Sequence, residues 1–85
     1  MIRYRPHCGS LAESLSHARE VDGLDGLIAH LRWELQSFPS ASSFTDDQVR
    51  VQPYYGNDDR IGWLNVHIVT IDGYGVMGFC EGPAE

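Results

Sequence analysis

Lysine is absent from this chain of 85 residues, and all six basic side chains are arginine. That removes the flexible ammonium groups of most protein surfaces and leaves planar guanidinium groups, which favour fixed, forked ion pairs. Cysteine is scarce. Cys8 and Cys80 could close one bridge, but the opening Met1-Ile2-Arg3-Tyr4-Arg5 lacks the apolar stretch of a secretory signal, so two reduced thiols in a cytoplasmic protein are expected. Long apolar runs are missing as well: Ile68 to Ile71, with Thr70 inside it, is far too short to cross a bilayer, and no membrane partner is expected. Positive charge is in deficit. Twelve acids against six arginines give a formal charge of -6, which repels phosphate backbones on average and argues against direct nucleic-acid binding.

The signatures of catalysis and metal binding are missing too. There is no C-x-x-C, H-x-x-x-H or H-E-x-x-H, and His7 and Cys8 are adjacent and point in different directions, so no metal site is expected. Asp46-Asp47 and Asp58-Asp59 do not fit a calcium-binding loop, and turn chemistry accounts for both pairs. Gly73-Tyr74-Gly75-Val76-Met77-Gly78 has the G-x-G-x-x-G spacing but lies between two strand-like segments rather than before a helix, so it carries no dinucleotide. Cys80 sits in a strand context where a buried structural thiol is the common outcome. His30 and His67 read as surface or internally satisfied histidines. Neither a catalytic residue nor a cofactor is expected.

What is present is the composition of an ordered fold: 42% hydrophobic and 21% charged residues, within one domain spanning residues 1–85. From Val49 to Cys80, two apolar, β-branched runs flank Gly56-Asn57-Asp58-Asp59 and a third follows Gly73-Tyr74-Gly75, the pattern of a three-stranded antiparallel meander. Ile2 to Arg5 alternates apolar and basic before Pro6, which predicts a short first strand at an edge of the sheet. Ser10 and Glu13 have the spacing of a capping box ahead of a short helix, although Leu11, Leu15 and Val21 also allow an extended reading. Asp22 opens the main helix, Gly23 to Gln36, with Leu24, Leu27, Ile28, Leu31 and Leu35 as its apolar stripe. Ser37 to Asp47 reads as a loop. The expected fold is therefore α+β: an antiparallel sheet of three to four strands, the N-terminal strand plus the meander, packed on one main helix. Ile61 to Ile71 is apolar on both faces, so the face away from the helix needs a cover from the first segment, the loop or a partner molecule.

Tyr54, Tyr55, Trp63 and Tyr74 fall near hairpin ends beside Asp46, Asp47, Asp58, Asp59, Asp72 and Glu81, with core packing the alternative for Trp63 and turn solvation for the acids. Aromatic side chains with a polar tip beside an acidic rim make a partner-binding surface suited to a basic protein.

Three segments carry a resemblance: Tyr4-Arg5-Pro6-His7-Cys8-Gly9-Ser10-Leu11-Ala12-Glu13-Ser14, Asp59-Arg60-Ile61-Gly62-Trp63, and Gly73-Tyr74-Gly75-Val76-Met77-Gly78-Phe79-Cys80-Glu81-Gly82-Pro83. Together they resemble a group of small, uncharacterised proteins of bacteriophages and prophages. The resemblance implies a phage or mobile-element setting in the host cytoplasm, where compact acidic proteins include inhibitors of host defence complexes such as anti-CRISPR proteins. The expected function is a non-enzymatic inhibitor that engages a basic groove of a host protein or ribonucleoprotein complex through its acidic surface. A small-molecule-binding or catalytic accessory domain using Tyr, His and Cys residues, and a homo-oligomeric phage accessory protein, a homodimer being one form, are the alternatives.

Overall fold

The computed structural model describes residues 2–38 and 43–82; residues 39–42 of the expected loop, and Pro83, lie outside them. In chain order the elements are β1 (Ile2–Pro6), α1 (Leu11–Ser16), β2 (Arg19–Val21), α2 (Gly23–Leu35), β3 (Val49–Asp58), β4 (Trp63–Ile71) and β5 (Gly75–Glu81), with a 3-10 turn at Asp46–Gln48. The strands form one antiparallel sheet in the order β2-β1-β5-β4-β3.

The class is α+β, but the sheet has five strands rather than the three to four expected. The extra strand, Arg19-Glu20-Val21, is too short and polar to announce itself by periodicity, and forms because its backbone pairs with Ile2–Tyr4 while Val21 enters the core. β1 is consequently an inner strand and not an edge. Pro6 is tolerated there because β2 reaches only as far as Tyr4. Beyond that point α1 takes over, and the Ser14 hydroxyl donates to the Pro6 carbonyl at 2.6 Å. The capping box of α1 forms as the spacing predicts, Ser10 accepting from the Glu13 N–H and Glu13 from the Ser10 N–H.

The first hairpin is also displaced. The expected turn at Gly56–Asp59 lies largely inside β3, whose register slips between Pro53 and Gly56 and again between Gly56 and Asp58. Gly56 supplies the positive φ of 82° that this bulged stretch takes. The chain reverses at residues 59–62, so β4 begins at Trp63 and not at Ile61.

Helix α2 packs on one face of the sheet. Its Leu27, Ile28 and Leu31 join Tyr4, Val21, Phe44, Val69, Ile71 and Cys80 in the main core, with Leu35 at the margin. Leu24, expected in the same stripe, is 53% exposed and stays out of the core that Leu27, Ile28 and Leu31 enter. His30 corrects the sequence reading in the other direction: it is buried, its ring 5.5 Å from Tyr4 edge to face and 5.8 Å from Trp33. Nε2 stands 3.3 Å from a Glu34 carboxylate oxygen but off the line of a hydrogen bond.

The other face is covered at one end by the chain itself. Arg3, Arg5, Phe79 and Glu81 occupy it by strand parity and register. Both guanidinium groups lie 5.5 Å from the buried Trp63 ring.

Two outcomes follow from this packing. Leu31→Ala should destabilise the fold by about 2–5 kcal/mol, whereas Leu24→Ala should stay within about 0.5 kcal/mol of the parent; urea denaturation measures both. Burial, aided by Arg19 and opposed by the Glu34 carboxylate, holds the His30 pKa below its ordinary value. A base with a depressed folded pKa costs stability as pH falls below the unfolded value, about 6.5 for imidazole. The urea midpoint should therefore drop between about pH 7.5 and about pH 5.5, and His30→Gln should flatten that drop.

Candidate functional site

Strand parity turns Arg5 away from the helix-packed core, and α1 closes over it. Arg5 is 6% exposed. Its Nη1 donates to the Ser14 hydroxyl at 3.1 Å, and its guanidinium lies 4.7 Å from the Phe79 ring centre and 5.5 Å from Trp63. No carboxylate pairs with it among the described residues, and its buried Nε has no hydrogen-bond partner. Ring faces offset part of the cost of withdrawing this cation from water. An uncompensated buried charge is nevertheless expensive.

Arg5 faces a groove of about 620 Å³ walled by His7, Cys8, Tyr54, Tyr55, Arg60 and Phe79, with Ser10 and Ser14 of the α1 end at its margin. The aromatic wall is continuous: the Tyr54 ring lies 4.8 Å from Tyr55 and 5.5 Å from Phe79. His7 meets Phe79 edge on at 5.7 Å, and its backbone N–H donates to the Met77 carbonyl at 3.0 Å.

The reversal between β3 and β4 supplies the second guanidinium. Asp58 is 3% exposed and accepts from Arg60 Nε at 3.0 Å, Arg60 Nη2 at 2.8 Å, the Arg60 backbone N–H at 3.1 Å and the Tyr55 hydroxyl at 2.5 Å. These donors, Arg60 foremost, hold the Asp58 carboxyl well below the usual carboxylate range. The same pairing raises Arg60. Burial and then the hydrogen bond to Asp58 raise the Tyr55 phenol. Arg60 itself is largely exposed, so Asp58 acts from beneath as an anchor that presents the guanidinium to the groove.

Of the residues selected from sequence, Tyr54 and Tyr55 line this groove and Asp58 lies behind them. Asp59 is exposed in the neighbouring turn. Asp46, Asp47, Asp72 and Tyr74 belong to a different region, where the Asp72 backbone N–H donates to the Gln48 carbonyl and the Gln48 side chain donates back to the Asp72 carbonyl. Asp46 pairs there with Arg32, Asp72 with Arg50 at 2.9 Å, Asp47 accepts from the Thr45 hydroxyl, and the Tyr74 hydroxyl lies 3.4 Å from that of Ser43. Glu81 is apart from both groups, bound to Arg3 at 2.7 Å and to the Leu64 N–H at 3.0 Å. Four of the six candidate carboxylates thus hold arginines: Asp46, Asp58, Asp72 and Glu81.

Sequence reasoning passed over Arg5, Arg60, His7 and Phe79. The available signal was Arg3 and Arg5 alternating with Ile2 and Tyr4, which puts two cations on one face of a strand that the apolar content of the meander requires to be covered on both sides. Among the described residues no group of three or more His, Cys, Asp or Glu side chains could hold a metal ion, and no helix is long and apolar enough to cross a membrane. Comparison with protein-family models, with curated proteins and with solved structures gives no match.

The Asp58 knot has a measurable signature. Because its carboxyl titrates below the ordinary aspartate value of about 3.9, the stability it contributes is present above that pH and is lost as pH falls beneath it. Asp58→Asn should remove that part of the acid dependence between about pH 5 and about pH 1. It should also return the Tyr55 titration toward the ordinary phenol value, read as phenolate absorbance.

Proposed function

We propose that this protein is a non-enzymatic binding protein whose working surface is the groove between α1 and the β3–β4 reversal, and that its ligand is a small anion. The observation that carries the reading is Arg5: a buried guanidinium with no carboxylate beside it among the described residues, aimed into a cavity that a second guanidinium also faces. Binding sites concentrate a few placed polar groups in a largely apolar hollow, and the three rings around two arginines have that character. An anion in the groove would supply the counter-charge that the fold withholds from Arg5.

The expected acidic inhibitor of a host nucleic-acid-handling complex is the second reading, favoured by the net charge of -6 and by exposed Asp47 and Asp59. It draws less from local geometry, because Asp46, Asp58, Asp72 and Glu81 are engaged by arginines. The resemblance to phage and prophage proteins supplies a setting for either role.

Titration with inorganic phosphate, followed through Trp63 fluorescence in a Trp33→Phe background, tests the reading. A saturable change is expected that Arg5→Met abolishes and Arg50→Met leaves intact, since Arg50 is at the opposite end of β3. The absence of a saturable change, or its survival in Arg5→Met, would count against an anion site at this groove.

A further inference from the structure

The groove is larger than a bare oxyanion needs, and its two kinds of lining are unequal in what they can hold. Resting on the reading of the groove as an anion site, we propose that its ligand is a nucleoside monophosphate, with the phosphoryl group between Arg5 and Arg60 and the base against the ring wall of Tyr54 and Phe79.

Three observations point to that class. The guanidinium groups approach from two separate elements, β1 and the β3–β4 reversal, so the anion must accept from two directions. A tetrahedral phosphoryl group with three acceptor oxygens does this, whereas a flat carboxylate is suited to one fork. Charge agrees with geometry: Asp58 neutralises part of Arg60 but no carboxylate among the described residues pairs with Arg5, and a phosphomonoester brings about -1.5 to -2 charges at neutral pH. The third observation is the wall itself. Tyr54 is 55% exposed and Tyr55 44%, although the two rings touch each other and Tyr54 packs on Phe79. Exposed, mutually braced rings are stacking platforms, tolerant of base identity because every base has a π-face.

The rest of the molecule limits the length of the ligand. The chain as a whole carries a formal charge of -6, so each further phosphate of a polynucleotide would leave the two arginines and enter repulsive field. A single nucleotide fits within reach of both cations. The cavity volume of about 620 Å³ lies inside the range of small-molecule sites.

The experiment compares inorganic phosphate, adenosine, the four 5′-ribonucleoside monophosphates and a single-stranded oligonucleotide by calorimetry on the full chain. At least one monophosphate should bind about tenfold or more tightly than either phosphate or adenosine alone. Tyr54→Ala should remove most of that advantage, lowering nucleotide affinity severalfold more than phosphate affinity, and Arg5→Met should abolish binding of both phosphate and nucleotide. Phosphate binding that no monophosphate exceeds would overturn the nucleotide assignment and leave the anion site standing. No binding of phosphate or any monophosphate would overturn both. Tighter binding of the oligonucleotide than of every monophosphate would overturn the single-nucleotide limit. If Arg5→Met fails to fold, Arg60→Lys replaces it: the shorter hydrogen-bonding reach should weaken nucleotide binding, and unchanged affinity in that variant would contradict the assigned phosphoryl position.

Discussion

Adjacent residues on an inner strand commit this molecule to its two faces. Tyr4 points into the helix-packed core, where its hydroxyl donates to the Met77 carbonyl at 3.0 Å, and Arg5 points the other way, onto Trp63 and Phe79. A slip of β1 by one residue would exchange them, placing a guanidinium among Leu27, Leu31 and Val69 and a tyrosine over the groove. The register is further locked by Gly78, opposite Pro6, where a Cβ would overlap the Arg5 carbonyl and the Tyr4 ring. Both the core and the groove are consequences of that one alternation.

The arginines then divide by role. Arg3, Arg32, Arg50 and Arg60 hold carboxylates contributed by Glu81, Asp46, Asp72 and Asp58. Most of these are exposed pairs of modest energetic value, and their main effect is to fix which turn lies beside which strand. Arg19 lies over the Trp33 ring at the β2 edge. Arg5 alone is buried, and it is met by ring faces and one hydroxyl but by no carboxylate among the described residues. A lysine could not take this place as well, because a compact ammonium has neither a planar face to stack nor a second nitrogen to turn toward the groove.

How far the sequence could be read depended on the range of the interactions involved. The meander, the main helix and the Ser10–Glu13 cap rest on local spacing and were legible for that reason. β2 was not, since Arg19-Glu20-Val21 becomes a strand only through pairing with Ile2–Tyr4. The displaced hairpin has a similar origin: Asp58 reads as a turn residue, yet satisfaction of its carboxylate by Tyr55 and Arg60 lets it remain in β3. At the site, Tyr54, Tyr55 and Asp58 were visible as aromatic and acidic residues near a reversal. Their basic counterpart Arg5 was hidden, because only tertiary structure brings β1 and α1 against that reversal. The pairings of Asp46, Asp72 and Glu81 likewise span long stretches of chain and left no mark in composition.

The two thiols are placed very differently, and the difference offers a practical handle. Cys80 is enclosed in the core, where burial pushes its pKa up to about 11, while Cys8 is exposed on the groove wall. An alkylating dye applied to the native fold would therefore attach at Cys8, placing a fluorophore at the mouth of the cavity without any engineered substitution.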